Sequence, residues 1–194
     1  MTDTSFITIV SGLPRSGTSM MMQALEAGGL EILTDNLRRR DEDNPKGYYE
    51  FEPVKKTKQD PSWVAGARGK AVKVIYSLLY DLPSEFAYRV IFMERNLEEV
   101  LASQKTMLER SKQAGADVSN EKLTEVFRLQ LAKFDDWIVT QKQFRILRVN
   151  HREMITSPLA QCERINRFLD GILDLEKAAT AVDPALYRKR RDNP

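Results

Sequence analysis

The residues best suited to chemistry lie in one short segment near the start of the chain, from Gly12 to Ser19. Four residues separate Gly12 from Gly17, and Thr18 and Ser19 follow directly. This is the spacing of a phosphate-binding P-loop, whose backbone N–H groups surround a phosphate while the next helix N-terminus adds partial positive charge. The lysine that normally follows the second glycine is replaced by Thr18, and the basic side chain lies inside the loop at Arg15. The segment therefore predicts a phosphate site without the lysine typical of triphosphate-binding loops.

A second pair of residues suited to binding phosphate occurs in the middle of the chain. Arg95 follows the apolar run 89–94, which predicts a buried strand, and Ser103 lies eight positions later. Asn96 is a helix-capping residue, and Glu99, three positions on, completes a pattern resembling a capping box. Ser103 then lies two helical turns beyond Asn96 on the same face. An arginine at a strand end and a hydroxyl on the next helix can converge on one phosphate.

The elements that must position these residues alternate between strands and helices. Apolar runs predict strands at 6–10, 30–33, 70–76, 89–94 and 144–149. Helices are predicted after Gly17, after Asn96, over 121–141 and from Pro158. Strands that alternate with helices build parallel sheets, so we expect an α/β fold of the P-loop NTPase type, as a single domain over residues 1–194. Ligands in such sheets bind at the carboxyl ends of the strands, and the Gly12 loop, the turn after Glu94 and the turn after Val149 are expected to lie on that edge.

Two apolar features are expected to serve packing rather than chemistry. One is the lone cysteine, Cys162, which lies on the apolar face of the helix from Pro158. The other is the stripe along the helix over 121–141, which we expect to face the core: Leu123, Val126, Phe127, Leu131, Phe134, Trp137 and Ile138.

Composition narrows the class of protein. The 194 residues carry 30 basic and 28 acidic side chains, and a net charge of +2 does not favour nucleic acid or a membrane surface as partner. A single cysteine excludes a disulfide framework and a cysteine zinc site, and suits a reducing cytosol. No apolar run is long enough for a signal peptide or a membrane span. We therefore expect a cytoplasmic protein without a membrane span.

The phosphate motifs resemble those of the sulfotransferase family, which uses 3′-phosphoadenylyl sulfate (PAPS). The loop resembles that family's 5′-phosphosulfate signature, Pro-Lys/Arg-Ser-Gly-Thr, and implies PAPS contacts from Pro14, Arg15, Ser16, Gly17, Thr18 and Ser19. Arg95 and Ser103 resemble its 3′-phosphate pair, although Leu97 stands where the family has proline. The closing segment resembles the family's basic end, which implies that Arg188 and Arg190 reach the same phosphate.

The resemblance also implies roles in catalysis. Arg15 would contact the leaving phosphate and the sulfuryl group, and Lys73 occupies the lysine of a K-x-H motif whose histidine is missing here. Carbohydrate-type members use a carboxylate about twenty residues past the loop as the general base, which implies Asp35. Other positions stay open for the base: Asp41, Asp43, Glu50 and His151, the chain's one histidine.

The expected activity is transfer of the sulfuryl group from PAPS to a hydroxyl or amine of a small-molecule or carbohydrate acceptor. Such a transfer needs a base and cationic groups, but no metal. Two alternatives remain. One is an ATP-dependent P-loop kinase, for which Glu94 is the nearest acidic residue at a strand end. The other is a module that binds the nucleotide without catalysis.

Overall fold

Five parallel strands form the central sheet, in the order β2-β3-β1-β4-β5. The computed structural model describes residues 5–35, 47–110 and 119–184. The strands are β1 (Ile7–Gly12), β2 (Ile32–Leu33), β3 (Ala71–Lys73), β4 (Tyr88–Glu94) and β5 (Phe144–Asn150). Every strand pairs in parallel with its neighbours, which confirms the predicted α/β fold with a parallel sheet.

Helices and short 3₁₀ turns cover both faces of the sheet. The α-helices are α1 (Thr18–Ala27), α2 (Leu97–Arg110), α3 (Asn120–Ile138), α4 (His151–Thr156), α5 (Pro158–Phe168) and α6 (Leu175–Thr180). The 3₁₀ helices are Glu52–Lys56, Ser62–Ala67 and Tyr76–Asp81. Helices α1, α4, α5 and α6 pack on one face, and α3 packs with the 3₁₀ helices on the other. None of the helices in the described residues is long and apolar enough to cross a membrane.

Alternation along β1 explains how the sheet supports two cores. Val10 belongs to the core under α1, whereas Ile7 and Ile9 belong to the core under α3. All six residues of β1 are buried, as expected for a central parallel strand covered on both faces. Cys162 packs in the α1 core, and burial raises the pKa of its thiol to about 11, which confirms that it is a packing residue.

The prediction that the whole stripe of α3 is core is wrong for its N-terminal half. Phe134 is fully buried against Phe92 of β4, but Val126, two turns earlier, is 45% exposed. The turns of α3 before Phe134 add about 20 Å of helix, whereas β4 continues for only about 7 Å beyond Phe92. The start of α3 therefore extends past the sheet, and its apolar residues have no strand beneath them.

The third strand is shorter than its apolar run predicts. β3 ends at Lys73, and the chain enters a 3₁₀ helix at Tyr76, so Ile75 is exposed. The boundary matters for the site because it brings the Lys73 side chain to the carboxyl edge of the sheet, beside β1.

Candidate phosphate-binding site

The loop between β1 and α1 has the backbone of a tight phosphate-binding turn. Gly12, Arg15 and Gly17 all adopt positive φ values, of 142°, 72° and 101°. A Cβ atom on Gly12 would lie 2.5 Å from Ser16 Oγ, and one on Gly17 would lie 2.4 Å from Cδ2 of His151. Both distances are far below van der Waals contact, so both glycines of the predicted motif are required by conformation and by space.

Arg15 joins the two predicted phosphate motifs. Its Nε donates a hydrogen bond to Ser103 Oγ at 3.0 Å, and its carbonyl oxygen accepts one from Arg95 Nη1 at 3.1 Å. These residues are 88 and 80 positions apart in sequence, but β1 pairs with β4 so that Gly12 lies opposite Met93. The carboxyl ends of the two strands therefore bring Arg15 into direct contact with both Arg95 and Ser103.

A carboxylate that the sequence analysis assigned only to capping completes this side of the site. Glu99 Oε2 pairs with Arg95 Nε at 2.9 Å, and both side chains are only about a tenth exposed. Asn96 caps α2 as predicted, since its Oδ1 accepts from the backbone N–H groups of Glu98 and Glu99. The spacing of four between Arg95 and Glu99 could have indicated the pair.

His151 packs against the loop from the end of β5. It is the first residue of α4, is 6% exposed, and lies directly against Gly17. Burial, reinforced by the nearby charge of Arg95 and opposed by that of Glu99, lowers the pKa of His151 to about 4. The imidazole is therefore neutral at neutral pH, the form that a general base requires, but a pKa this far below 7 makes it a weak proton acceptor.

Two serine hydroxyls around the loop are buried and have no hydrogen-bond partner among the described residues. They belong to Ser11, the penultimate residue of β1, and to Ser16 within the loop. Ser11 points to the α3 face of the sheet, as do Ile7 and Ile9, whereas Ser16 Oγ is turned across the loop toward Gly12. A buried hydroxyl without a partner is unfavourable, and Ser16 is the one of the two whose hydroxyl faces the loop.

The other side of the loop holds a different set of contacts. Lys73 Nζ donates to the carbonyl oxygen of Tyr48, and Ser19 Oγ contacts the same oxygen at 3.4 Å. Asp35 Oδ2 accepts from the backbone N–H of Glu52 at 2.5 Å. Asp35 follows β2, which is separated from β1 by β3. These polar side chains hold the backbone of residues 48–52 against the sheet.

The remaining candidates are distributed as follows. Glu50 forms an ion pair with Lys55 at 3.8 Å. Glu94, the acidic residue relevant to the kinase alternative, pairs with Arg148 at 2.7 Å. Pro14 is exposed and Thr18 is half-buried at the start of α1. The remaining four predicted residues lie outside the part of the chain that the structure describes: Asp41, Asp43, Arg188 and Arg190.

Comparison with known proteins adds little to this picture. No protein-family model and no curated protein matches the chain. Among solved structures, the crystal structure of an unliganded sugar kinase from Janibacter sp. HTCC2649 is similar at a TM-score of 0.44 and 12% sequence identity. The match covers 94% of this chain and 98% of the kinase chain. Function must therefore be inferred from the side chains of the site itself.

Proposed function

We propose that this chain binds PAPS and transfers its sulfuryl group to a hydroxyl or amine of a small-molecule or carbohydrate acceptor. The observation that carries the proposal is the contact of Arg15 with both Ser103 and Arg95. The two motifs that resemble the 5′-phosphosulfate and 3′-phosphate sites of sulfotransferases are thus neighbours in the fold. Either motif alone would be weak support.

The residues of the loop suit an anion. Its backbone turns at Gly12 and Gly17 toward the N-terminus of α1, which favours negative charge. Ser16 contributes a buried hydroxyl without a partner, and Arg15 contributes a guanidinium. On the adjacent side, Arg95 and Ser103 would hold the 3′-phosphate through charge-assisted and neutral hydrogen bonds.

Bound PAPS would supply the sulfuryl group, whose bond to the 5′-phosphate oxygen breaks as the acceptor oxygen or nitrogen bonds to sulfur. Arg15 would stabilise the negative charge that develops on the departing phosphate, because its guanidinium carries several N–H donors that can bond to phosphate oxygens. The acceptor's proton must pass to a base, for which Asp35 stays the prediction. Lys73 lies at the end of the neighbouring strand and stays a predicted contributor to charge stabilisation.

Calorimetric titration of the full chain with adenosine 3′,5′-bisphosphate tests the binding step. We expect Arg15→Ala to weaken binding roughly 10- to 100-fold, as the loss of a charged hydrogen bond predicts. Arg145→Ala is the matched control, because it removes the same charge from an exposed position near the start of β5. Equal affinity of the Arg15→Ala variant and the wild type would refute the role given to Arg15.

Titration with ATP and magnesium, and a transfer assay with ³⁵S-labelled PAPS, separate the alternatives. Binding of the bisphosphate together with label transfer to a hydroxyl or amine acceptor supports the proposal. Binding of the bisphosphate without transfer across phenol, sugar and amine acceptors would favour a non-catalytic module. Binding of ATP with magnesium alone would favour a kinase, and would require a cation site despite the pairing of Glu94 with Arg148.

A further inference from the structure

We infer that Glu99 is a positioning residue for this site, which holds the Arg95 guanidinium against the backbone of the phosphate loop. The inference rests on the proposed function for the identity of the ligand, adenosine 3′,5′-bisphosphate or PAPS. Its structural part concerns only the contacts that run from Glu99 through Arg95 to Arg15.

The first step is the pairing of Glu99 with Arg95. The two side chains meet at 2.9 Å between Oε2 and Nε, and they are 11% and 10% exposed. Charge-assisted bonds shielded from water are stronger than those on the surface, where ion pairs contribute little. Arg95 precedes the helix cap Asn96, so this is not a pair along one exposed helix face. The contact holds the Arg95 guanidinium beside the first turn of α2.

The second step is the hydrogen bond that Arg95 donates to the phosphate loop from this position. Its Nη1 donates to the carbonyl oxygen of Arg15, whose φ of 72° lies in the left-handed region that non-glycine residues seldom adopt. A hydrogen bond to that carbonyl favours the orientation of the peptide between Arg15 and Ser16. The same peptide carries the Ser16 N–H, which donates to the carbonyl oxygen of Leu13 at 3.1 Å, so the contact bears on the turn that shapes the phosphate loop.

The third step explains why the carboxylate is stable where it lies. Glu99 is in the first turn of α2, where the helix dipole favours negative charge. Its backbone N–H is held by Asn96 Oδ1 at 3.2 Å. Glu98, in the same turn, carries the same charge but is exposed, which makes it the matched control.

A carboxylate beside an anion site also repels the ligand, so positioning and repulsion predict opposite signs. If repulsion dominated, removing Glu99 would tighten binding of the bisphosphate. If positioning dominates, as we infer, Glu99→Ala weakens binding roughly tenfold, while Glu99→Gln, which keeps an oxygen acceptor for Arg95 Nε, stays within about threefold of the wild type. Glu98→Ala should change the affinity by less than twofold.

A double-mutant cycle distinguishes positioning through Arg95 from a general loss of structure. In the Arg95→Ala background, Glu99→Ala should no longer weaken binding of adenosine 3′,5′-bisphosphate, and any remaining effect should be a tightening, because only the repulsion is left. Thermal unfolding of every variant identifies any that lose the fold. An undiminished tenfold effect without Arg95, or binding by Glu99→Ala at least as tight as that of the wild type, overturns the inference.

A spectroscopic measurement tests the inference without any nucleotide. In ¹H–¹⁵N correlation spectra of the full chain, the Ser16 amide should shift similarly in Glu99→Ala and Arg95→Ala, and should stay in place in Glu98→Ala. If the wild type fails to bind the bisphosphate but the Ser16 amide moves in this pattern, the proposed function fails and the positioning role stands. A Ser16 amide unaffected by Glu99→Ala overturns the positioning role whatever the ligand.

Discussion

The two sides of the phosphate loop use similar side chains for different purposes. On the side of β4 and β5, Arg95 and Ser103 bond to Arg15 itself, and His151 packs against the loop. On the side of β2 and β3, Lys73 and Asp35 bond to backbone groups of the segment 48–52. The first side shapes the loop, whereas the second attaches a neighbouring segment to the sheet.

The difference teaches that a charged residue at a strand end is informative only together with its partner. An arginine or serine that contacts the atoms of the loop is near any anion bound there. A lysine or aspartate whose bonds go to backbone carbonyl and N–H groups satisfies polar groups that would otherwise be buried without partners. We therefore expect substitutions on the first side to change ligand affinity, and those on the second side to change the free energy of unfolding.

The largest effect is expected from Gly17→Ala, which should lower the free energy of unfolding by roughly 2 to 5 kcal/mol. The substitution places a Cβ in a left-handed conformation and 2.4 Å from the buried His151 ring. Gly29→Ala is the matched control, since Gly29 has a φ of 93° but no atom within 4 Å of the added Cβ. It should cost only about 1 kcal/mol. If urea denaturation gave the same loss in the free energy of unfolding for Gly17→Ala and Gly29→Ala, the contact with His151 would not contribute.

Acidification should destabilise the fold through His151, which packs on the same side of the loop. Its pKa falls from 6.5 to about 4 on folding, so the unfolded chain binds a proton that the folded chain does not between these values. The free energy of unfolding is therefore unaffected by this group above pH 6.5 and decreases as the pH falls toward 4, by about 3 kcal/mol at most. Denaturation at pH 7.5 and 5, in the wild type and in His151→Gln, isolates the contribution.

A direct measurement accompanies that prediction. Because the chain has one histidine, its imidazole proton signals can be assigned without ambiguity. We expect them to show the neutral form down to about pH 5. A midpoint near 6.5 would mean that the ring is solvated, and the packing of His151 on Gly17 would then be wrong.

The first side could be predicted from the sequence because its features are local. The strand, the glycine spacing and the position of Arg95 directly after a strand each follow from a few adjacent residues. Parallel pairing then brings the strand ends together. The bond from Arg15 to Ser103 could not be predicted, because it depends on the direction of a long side chain across 88 positions of sequence.

The second side could not be predicted for a different reason. Lys73 and Asp35 have the residue types of catalytic groups, and the sequence does not reveal that Tyr48 and Glu52 supply backbone partners to them. The prediction that the start of α3 is buried is wrong for a similar reason. Val126 continues the helical apolar period, but the period does not tell where the sheet beneath the helix ends.

The second side is tested by Asp35→Ala, with an expected loss of about 1 kcal/mol in the free energy of unfolding. The aspartate oxygen serves the first N–H of the 3₁₀ helix Glu52–Lys56, as a capping residue would. Affinity for adenosine 3′,5′-bisphosphate should stay within twofold of the wild type, which calorimetry checks. A tenfold loss of affinity at unchanged stability would contradict the division between the two sides.

The transfer assay adds a separate result for the same position. Loss of a general base lowers the rate by about 100-fold or more. Such a fall in kcat for Asp35→Asn, with nucleotide affinity retained, would establish Asp35 as the base in addition to its bond with Glu52. A rate close to that of the wild type would remove Asp35 from the candidates.

The smallest effects are expected from the two buried serines, Ser11 just before Gly12 and Ser16 within the loop. Ser16→Ala should weaken binding of the bisphosphate about fivefold to tenfold with little change in stability, because its hydroxyl is expected to gain a partner only from the ligand. Ser11→Ala should leave the affinity unchanged and should leave the free energy of unfolding equal or up to about 1 kcal/mol higher, because it removes a buried hydroxyl without a partner. Both hydroxyls are buried to the same degree, and both lack a partner among the described residues. A difference in ligand affinity between the two variants must therefore arise from the direction in which each hydroxyl points. Identical affinities in the two titrations would mean that the ligand makes no use of the Ser16 side chain, and that the backbone and Arg15 alone form the phosphate site.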